Sequence, residues 1–193
     1  MDDEMGSVFD ESVVEQQKSP LRSLVSVLLY MGVILLVTVG FIRFVGQRTI
    51  VIGNSMYPTL HEGESLMVDK LFYRLSGFKR FDIVVFLHDG AEEEYYIKRV
   101  IGLPGETVQI IDSVIYINGE PLEDPYRREP EIREPGLAAE PITLGADEYF
   151  CMGDNRNHST DSRFASVGSV SREKFMGKVW LRIFPLNRIG LLK

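Results

Sequence analysis

The chain has 193 residues, 45% hydrophobic and 25% charged, with a formal net charge of −7. Those proportions fit an ordinary folded protein of one domain with room for an appendage. Cys151 is the only cysteine, which excludes an intrachain disulfide and a Cys-rich metal site, and His61, His88 and His158 lack zinc-ligand spacing. Neither a metal nor a cofactor is expected.

The charge is unevenly placed. Residues 1–17 hold six acids (Asp2, Asp3, Glu4, Asp10, Glu11, Glu15) and no Lys or Arg, so the remaining 176 residues carry only −1. Residues 1–22 therefore read as an acidic, disordered tail. No basic patch interleaved with aromatics points to nucleic acid.

From Ser23 to Ile42 run 20 residues without a charge. As a helix this segment is about 30 Å long, the thickness of a bilayer's hydrocarbon core. A signal peptide's apolar stretch is shorter, about 7–15 residues, and ends at a small-residue cleavage site, unlike Phe44-Val45-Gly46-Gln47. The expected reading is a transmembrane helix over 23–42. Lys18 and Arg22 precede it and Arg43 and Arg48 come after it, so basic residues do not orient it.

Residues 43–193 change character to short β-like runs punctuated by turn signals. Strands are expected at Thr49–Ile52, Ser65–Asp69, Asp82–Leu87, Tyr95–Leu103, Thr107–Ile111, Val114–Ile117, Tyr149–Met152 and Lys178–Phe184. Leu103-Pro104-Gly105, Asp112-Ser113 and Asn118-Gly119 mark turns. Only Asp69–Leu75 and Ser171–Met176 suit a helix. Cys151 is expected as a small buried strand residue. Five of the nine prolines fall in 120–141, mixed with acids and arginines, which predicts an irregular surface loop inside the β domain.

Within Gly53-Asn54-Ser55-Met56-Tyr57-Pro58-Thr59, Gly53 tolerates unusual backbone angles and Pro58 disfavours helix, so Ser55 sits in a loop after a β-branched run. Ser55 is either a turn residue or a nucleophile. As a nucleophile it needs a base, because a hydroxyl is a weak attacker at neutral pH. Its surroundings do not form a Gly-x-Ser-x-Gly elbow, and the histidines read as surface or turn residues. Lys98 is a better candidate base. Strand alternation puts it on one face with Tyr96 and Val100, and burial there disfavours the charged ammonium. A strand lysine can instead snorkel to the sheet edge. Arg99 cannot serve, since a guanidinium does not deprotonate. The polar stretch Gly153–Arg163 is either a solvated loop or a network that orients a base.

Five segments resemble, in order, the characteristic boxes of the type I signal peptidases. They are Ser55-Met56-Tyr57-Pro58-Thr59-Leu60, Met67–Lys70, Arg80–Phe86, Tyr96–Gly105 and Gly153–Arg163. The resemblance covers about Ile50 to Pro185, preceded by a membrane anchor in the expected place. It implies a signal-peptidase-like β fold of antiparallel sheets behind one transmembrane helix. The implied activity is a membrane-bound serine endopeptidase that cuts signal peptides from exported preproteins after small residues of the Ala-x-Ala type. Ser55 would be the nucleophile and Lys98 the general base of a Ser-Lys dyad. Gly53, Asn54, Ser55 and Met56 would form the oxyanion and substrate site. Ser159 would hydrogen-bond the lysine amine, supported by an Asp161–Arg163 ion pair. The implied partners are secretory preproteins and the bilayer, with the N-terminus cytoplasmic and the β domain extracytoplasmic.

Three positions depart from common versions of the pattern. Gly53 lacks the hydroxyl that some members place at the oxyanion, Asn157 replaces a frequent aspartate, and Phe81 replaces a common glycine. Thirteen residues separate Ile42 from Ser55, a link of at most about 45 Å, which keeps a nucleophile near the membrane. A non-catalytic anchored β module and an inactive paralogue predict silent substitutions at Ser55 and Lys98. A self-cleaving regulator with the same chemistry would need a DNA-binding domain where this chain has a membrane span.

Overall fold

The computed structural model describes residues 20–44, 46–89 and 93–192. The acidic run through residue 19 lies outside the described residues. Helix α1 spans Pro20–Phe44, and its stretch Leu21–Gly40 has a mean hydropathy of 2.3. Between Leu21 and Val39 its leucines, valines and isoleucines are exposed. By length and composition the helix is a candidate membrane span. The Ser26 hydroxyl donates to the Arg22 carbonyl at 2.9 Å, which satisfies it without water.

The β unit contains strands β1 (Gly46–Ile50), β2 (Ser65–Asp69), β3 (Ile83–Asp89), β4 (Glu93–Gly102), β5 (Thr107–Ile111), β6 (Val114–Ile117), β7 (Glu120–Pro121), β8 (Ile142–Thr143), β9 (Glu148–Met152), β10 (Val170–Ser171), β11 (Phe175–Phe184) and β12 (Gly190–Leu191). They form an eight-stranded sheet in the order β1-β2-β11-β3-β4-β9-β10, with β12 beside β11. A four-stranded sheet runs β7-β6-β5-β8. The pairings are antiparallel, as expected for this fold class.

Local chemistry explains most of these elements. In β3, Val84 and Phe86 belong to one core cluster and Ile83 and Val85 to another. Both faces are covered, so the strand reads as a continuous apolar run. The β5–β6 hairpin turns at Asp112 and Ser113, which adopt φ of 47° and 66°, the paired positive angles of a two-residue turn. A third cluster joins Ile101, Phe150 and Met152 of the large sheet to Val108, Ile110 and Ile115 of the small one.

Two helix expectations change. Helix α2 covers Phe72–Ser76, later than Asp69–Leu75. Over Ser171–Met176 only one 3-10 turn forms, at Arg172–Lys174, and Phe175 begins β11. Phe175 packs against Phe78, Phe86 and Tyr149, so burial of its ring overrides local helix preference. The proline-rich segment 120–141 is mostly irregular but not merely superficial. Ile132 and Ala138 are buried in the core, and Gly136–Ala139 forms a 3-10 turn.

Candidate active site

Ser55 lies in a turn that comes after β1. Met56 and Leu60 on this turn are buried, and Leu60 N–H donates to Met56 O at 2.9 Å. That spacing sinks the inner face of the turn into the core and leaves Ser55 half-buried at its lip. Met56, expected at the substrate site, is buried in the core and also lines the adjoining cleft. The cleft, of about 280 Å³, runs between residues 49–56 and Tyr95–Lys98 of β4, with His158 and Thr160 on its rim.

The structure brings Lys98 to Ser55. Nζ of Lys98 lies 2.8 Å from Ser55 Oγ and donates to the Ile97 carbonyl at 3.2 Å. Lys98 is 4% exposed, and its amine sits 4.8 Å from the centre of the Tyr96 ring, the same-face neighbour that alternation identifies. Burial lowers its pKa from 10.5 to about 8, against the opposing pull of the Asp161 carboxylate. Cys151, fully buried in β9 as expected, has its thiol pushed up by burial and stays neutral.

The stretch Gly153–Arg163 packs against the Ser55 turn, where Asn155 N–H donates to the Ser55 carbonyl at 3.0 Å. Asp161 and Arg163 form the expected ion pair, Nε to Oδ1 at 2.8 Å, with both side chains sealed from solvent. Asp161 also accepts from Gly153 N–H at 3.0 Å. Ser159 departs from expectation: Lys98 bonds Ser55 and Ile97, and among the described residues the buried Ser159 Oγ has no partner. A Cβ at Gly153 would overlap both the Ser159 hydroxyl and the Ser55 carbonyl oxygen. That close approach requires glycine, and it holds Ser159 near the nucleophile's backbone. Gly153→Ala is expected to cost about 1–3 kcal/mol through overpacking, read as a lower midpoint of thermal unfolding.

Several supporting residues escape sequence reasoning. Arg99, on the face of β4 opposite Lys98, is fully buried and grips Asp154 in a bidentate pair at 2.7 and 2.6 Å. Asp154 also accepts from the Thr59 hydroxyl at 2.6 Å, which ties the Ser55 turn to this pair. Alternation along β4 sets Arg99 between Ile97 and Ile101 on the opposite face, an apolar setting that is the signal that could have found it. Asn155 reaches the same turn, donating to the carbonyls of Asn54 and Ser55.

The departures acquire physical reasons. Phe81 has φ of 71°, a left-handed angle that glycine adopts freely and phenylalanine does not. Its ring packs on Tyr126, and its carbonyl accepts from Arg99 Nη1 at 2.7 Å. Asn157 donates Nδ2 to Glu131 O at 2.9 Å and accepts Arg133 N–H at 3.0 Å. An aspartate could not make the first of these bonds. These contacts, with Asp124 2.7 Å from Arg156, brace the polar stretch against the proline-rich segment. Gly53 has φ of 77° and open space where a side chain would be, and the Asn54 side chain makes no hydrogen bond among the described residues.

Known proteins share sequence with most of this chain. The family model described as signal peptidase, peptidase S26, matches residues 24–184. A signal peptidase I of Bacillus licheniformis is 41% identical over 153 residues, covering 76% of this chain and 81% of that protein. A signal peptidase I of Leptolyngbya laminosa is 38% identical over 168 residues, covering 83% and 80%. The solved structure of a signal peptidase I from Enterococcus faecalis V583 is 31% identical, covering 52% of this chain and 95% of that one, with a TM-score of 0.42.

Proposed function

The chain belongs to the signal peptidase, peptidase S26 family, and from that premise we propose that it cleaves signal peptides from secretory preproteins with a Ser55–Lys98 dyad. The observation that carries this reading is the 2.8 Å approach of the Lys98 amine to the Ser55 hydroxyl, with the amine lowered to about 8. A base is most effective when its pKa lies near the working pH.

Neutral Lys98 accepts the Ser55 proton as Oγ bonds to the scissile carbonyl carbon, and the carbonyl oxygen becomes an oxyanion that accepts from the Ser55 N–H. One such donor contributes about 3 kcal/mol to the transition state. As the intermediate collapses, the C–N bond breaks and the leaving nitrogen takes the proton from Lys98. The ester at Ser55 is then attacked by water, whose proton passes to Lys98 and on to the departing Oγ. Asp161 and Arg163 hold the polar stretch in place. We assign Ser159 to the lysine amine while Ser55 is acylated, because its hydroxyl is buried, uncommitted and packed near the Ser55 backbone. A cleft walled by Val51, Ile52 and Ile97 suits small apolar residues of the Ala-x-Ala type.

Helix α1 is assigned to the membrane as a single pass, with the N-terminus cytoplasmic and residues 43–193 extracytoplasmic, where exported preproteins arrive. Its length and hydropathy support the span.

The pH dependence of preprotein cleavage tests the reading. Activity requires deprotonated Lys98, so kcat is expected to fall about tenfold per unit below pH ~8 and level off above it. A rate independent of pH across that range would sink the neutral-lysine mechanism. A non-catalytic anchored module or an inactive paralogue predicts no cleavage at any pH.

A further inference from the structure

The Asn54–Ser55 peptide carries the N–H assigned to the oxyanion, and its orientation is set from outside the turn. A trans peptide unit is planar, so its C=O and N–H point in opposite directions. Fixing the Asn54 carbonyl therefore fixes the direction of the Ser55 N–H. Asn155 Nδ2 donates to the Asn54 carbonyl at 3.1 Å, and Asn155 N–H donates to the Ser55 carbonyl at 3.0 Å. Tyr57 N–H adds a second bond to Asn54 O at 3.1 Å from within the turn. The carbonyls on both sides of the nucleophile's N–H are thus committed. Among the described residues no group accepts from the Ser55 N–H itself.

We propose that Asn155 is a positioning residue for the oxyanion site, aiming the Ser55 N–H at the point where the scissile carbonyl oxygen gains charge. The inference rests on the Ser55–Lys98 reading above. Oxyanion donors act because they are oriented before the charge develops. Gly53 supplies no hydroxyl to share that charge, so the direction of the remaining backbone donor matters more. The chemistry suits a carboxamide. Aspartate in its place has no donor for the Asn54 carbonyl and sets a negative charge beside the developing oxyanion. Asn155 is itself held by its neighbour Asp154, which is locked between Arg99 and Thr59.

The test uses the full chain in lipid vesicles with a labelled preprotein. Asn155→Ala deletes Nδ2 but keeps the backbone bond to Ser55. Its kcat is expected to fall about 10- to 100-fold, the scale of a small misplacement at a reacting centre, with KM within about twofold. Affinity for a peptide boronic acid, whose tetrahedral adduct needs the same donor, falls by a similar factor. The acid limb of the pH profile and the thermal midpoint stay where they are. Asn155→Asp, the closest in shape, loses more, and its kcat decides the matter should the alanine variant fold poorly. A kcat equal to the parent's, or a loss matched by KM or thermal midpoint with boronate affinity intact, overturns the proposal. Ser55→Ala is measured alongside. Residual cleavage there would show that the nucleophile reading has failed, whereas an inactive Ser55→Ala beside a parent-like Asn155→Ala removes only the role given to Asn155.

Discussion

Ser55→Ala and Lys98→Met are each expected to reduce preprotein cleavage by on the order of 10⁵-fold, while the β unit stays folded. In the proposed mechanism the two groups act as one device. The hydroxyl without the amine is a weak nucleophile, and the amine without the hydroxyl has nothing to activate. The double variant is therefore expected to lose little beyond either single one, a non-additivity that two independent contributions would not show. Single-turnover assays of the parent, the two single variants and the double variant measure it, and normal cleavage by either single variant would falsify the dyad.

Lys98→Met also makes a stability prediction that separates lost chemistry from lost fold. The amine's pKa is about 8 in the folded chain against a usual 10.5. Below pH ~8 it is charged in both states, and the folded state bears the full cost of burying it. Between about 8 and 10.5 the unfolded chain binds more protons, so that cost shrinks as pH rises. Methionine removes the charge. At pH 7 the variant is expected to be at least as stable as the parent, with its advantage fading as pH climbs through that window. Thermal unfolding at several pH values reads the effect.

Asp154→Ala is the substitution expected to damage the fold most. It removes the Asp154 carboxylate from the fully buried Arg99 guanidinium, which also donates to the Phe81 carbonyl and lies 3.4 Å from the centre of the Tyr126 ring. Breaking a buried pair in this way costs about 3–5 kcal/mol. In a domain of this size that lowers the thermal midpoint by roughly 10 °C. Replacing both partners with apolar residues, as in Arg99→Leu with Asp154→Leu, should restore much of the stability, since no charge is left buried alone. Cleavage should not return with it, because Thr59 loses the acceptor that ties down the Ser55 turn. If the double variant recovered full activity, the pair would have no part in positioning the nucleophile.

Strand boundaries show where local rules succeed. β2, β5 and β6 fall where alternation and turn residues put them, because each has enough residues to show a period and a turn whose angles match its sequence. β7, β8, β10 and β12 were not legible: two residues have no period, and these strands exist only because a neighbour offers its edge. The missing Ser159–Lys98 bond was equally out of reach. Whether a buried hydroxyl meets an amine depends on how closely Gly153 lets two segments approach.

By itself the sequence determined the uncharged 20-residue span, the mostly β character of the residues after it, and Lys98 as a strand lysine flanked by apolar neighbours. These are properties of consecutive residues, carried by hydrophobic period and turn chemistry. Only the tertiary structure decided which groups meet. Ser55 and Lys98 are 43 residues apart in sequence and 2.8 Å apart in space, and Asn155 reaches Asn54 across 101 residues. Such contacts arise from strand order and from the packing of buried ion pairs, and neither leaves a periodic trace along the chain.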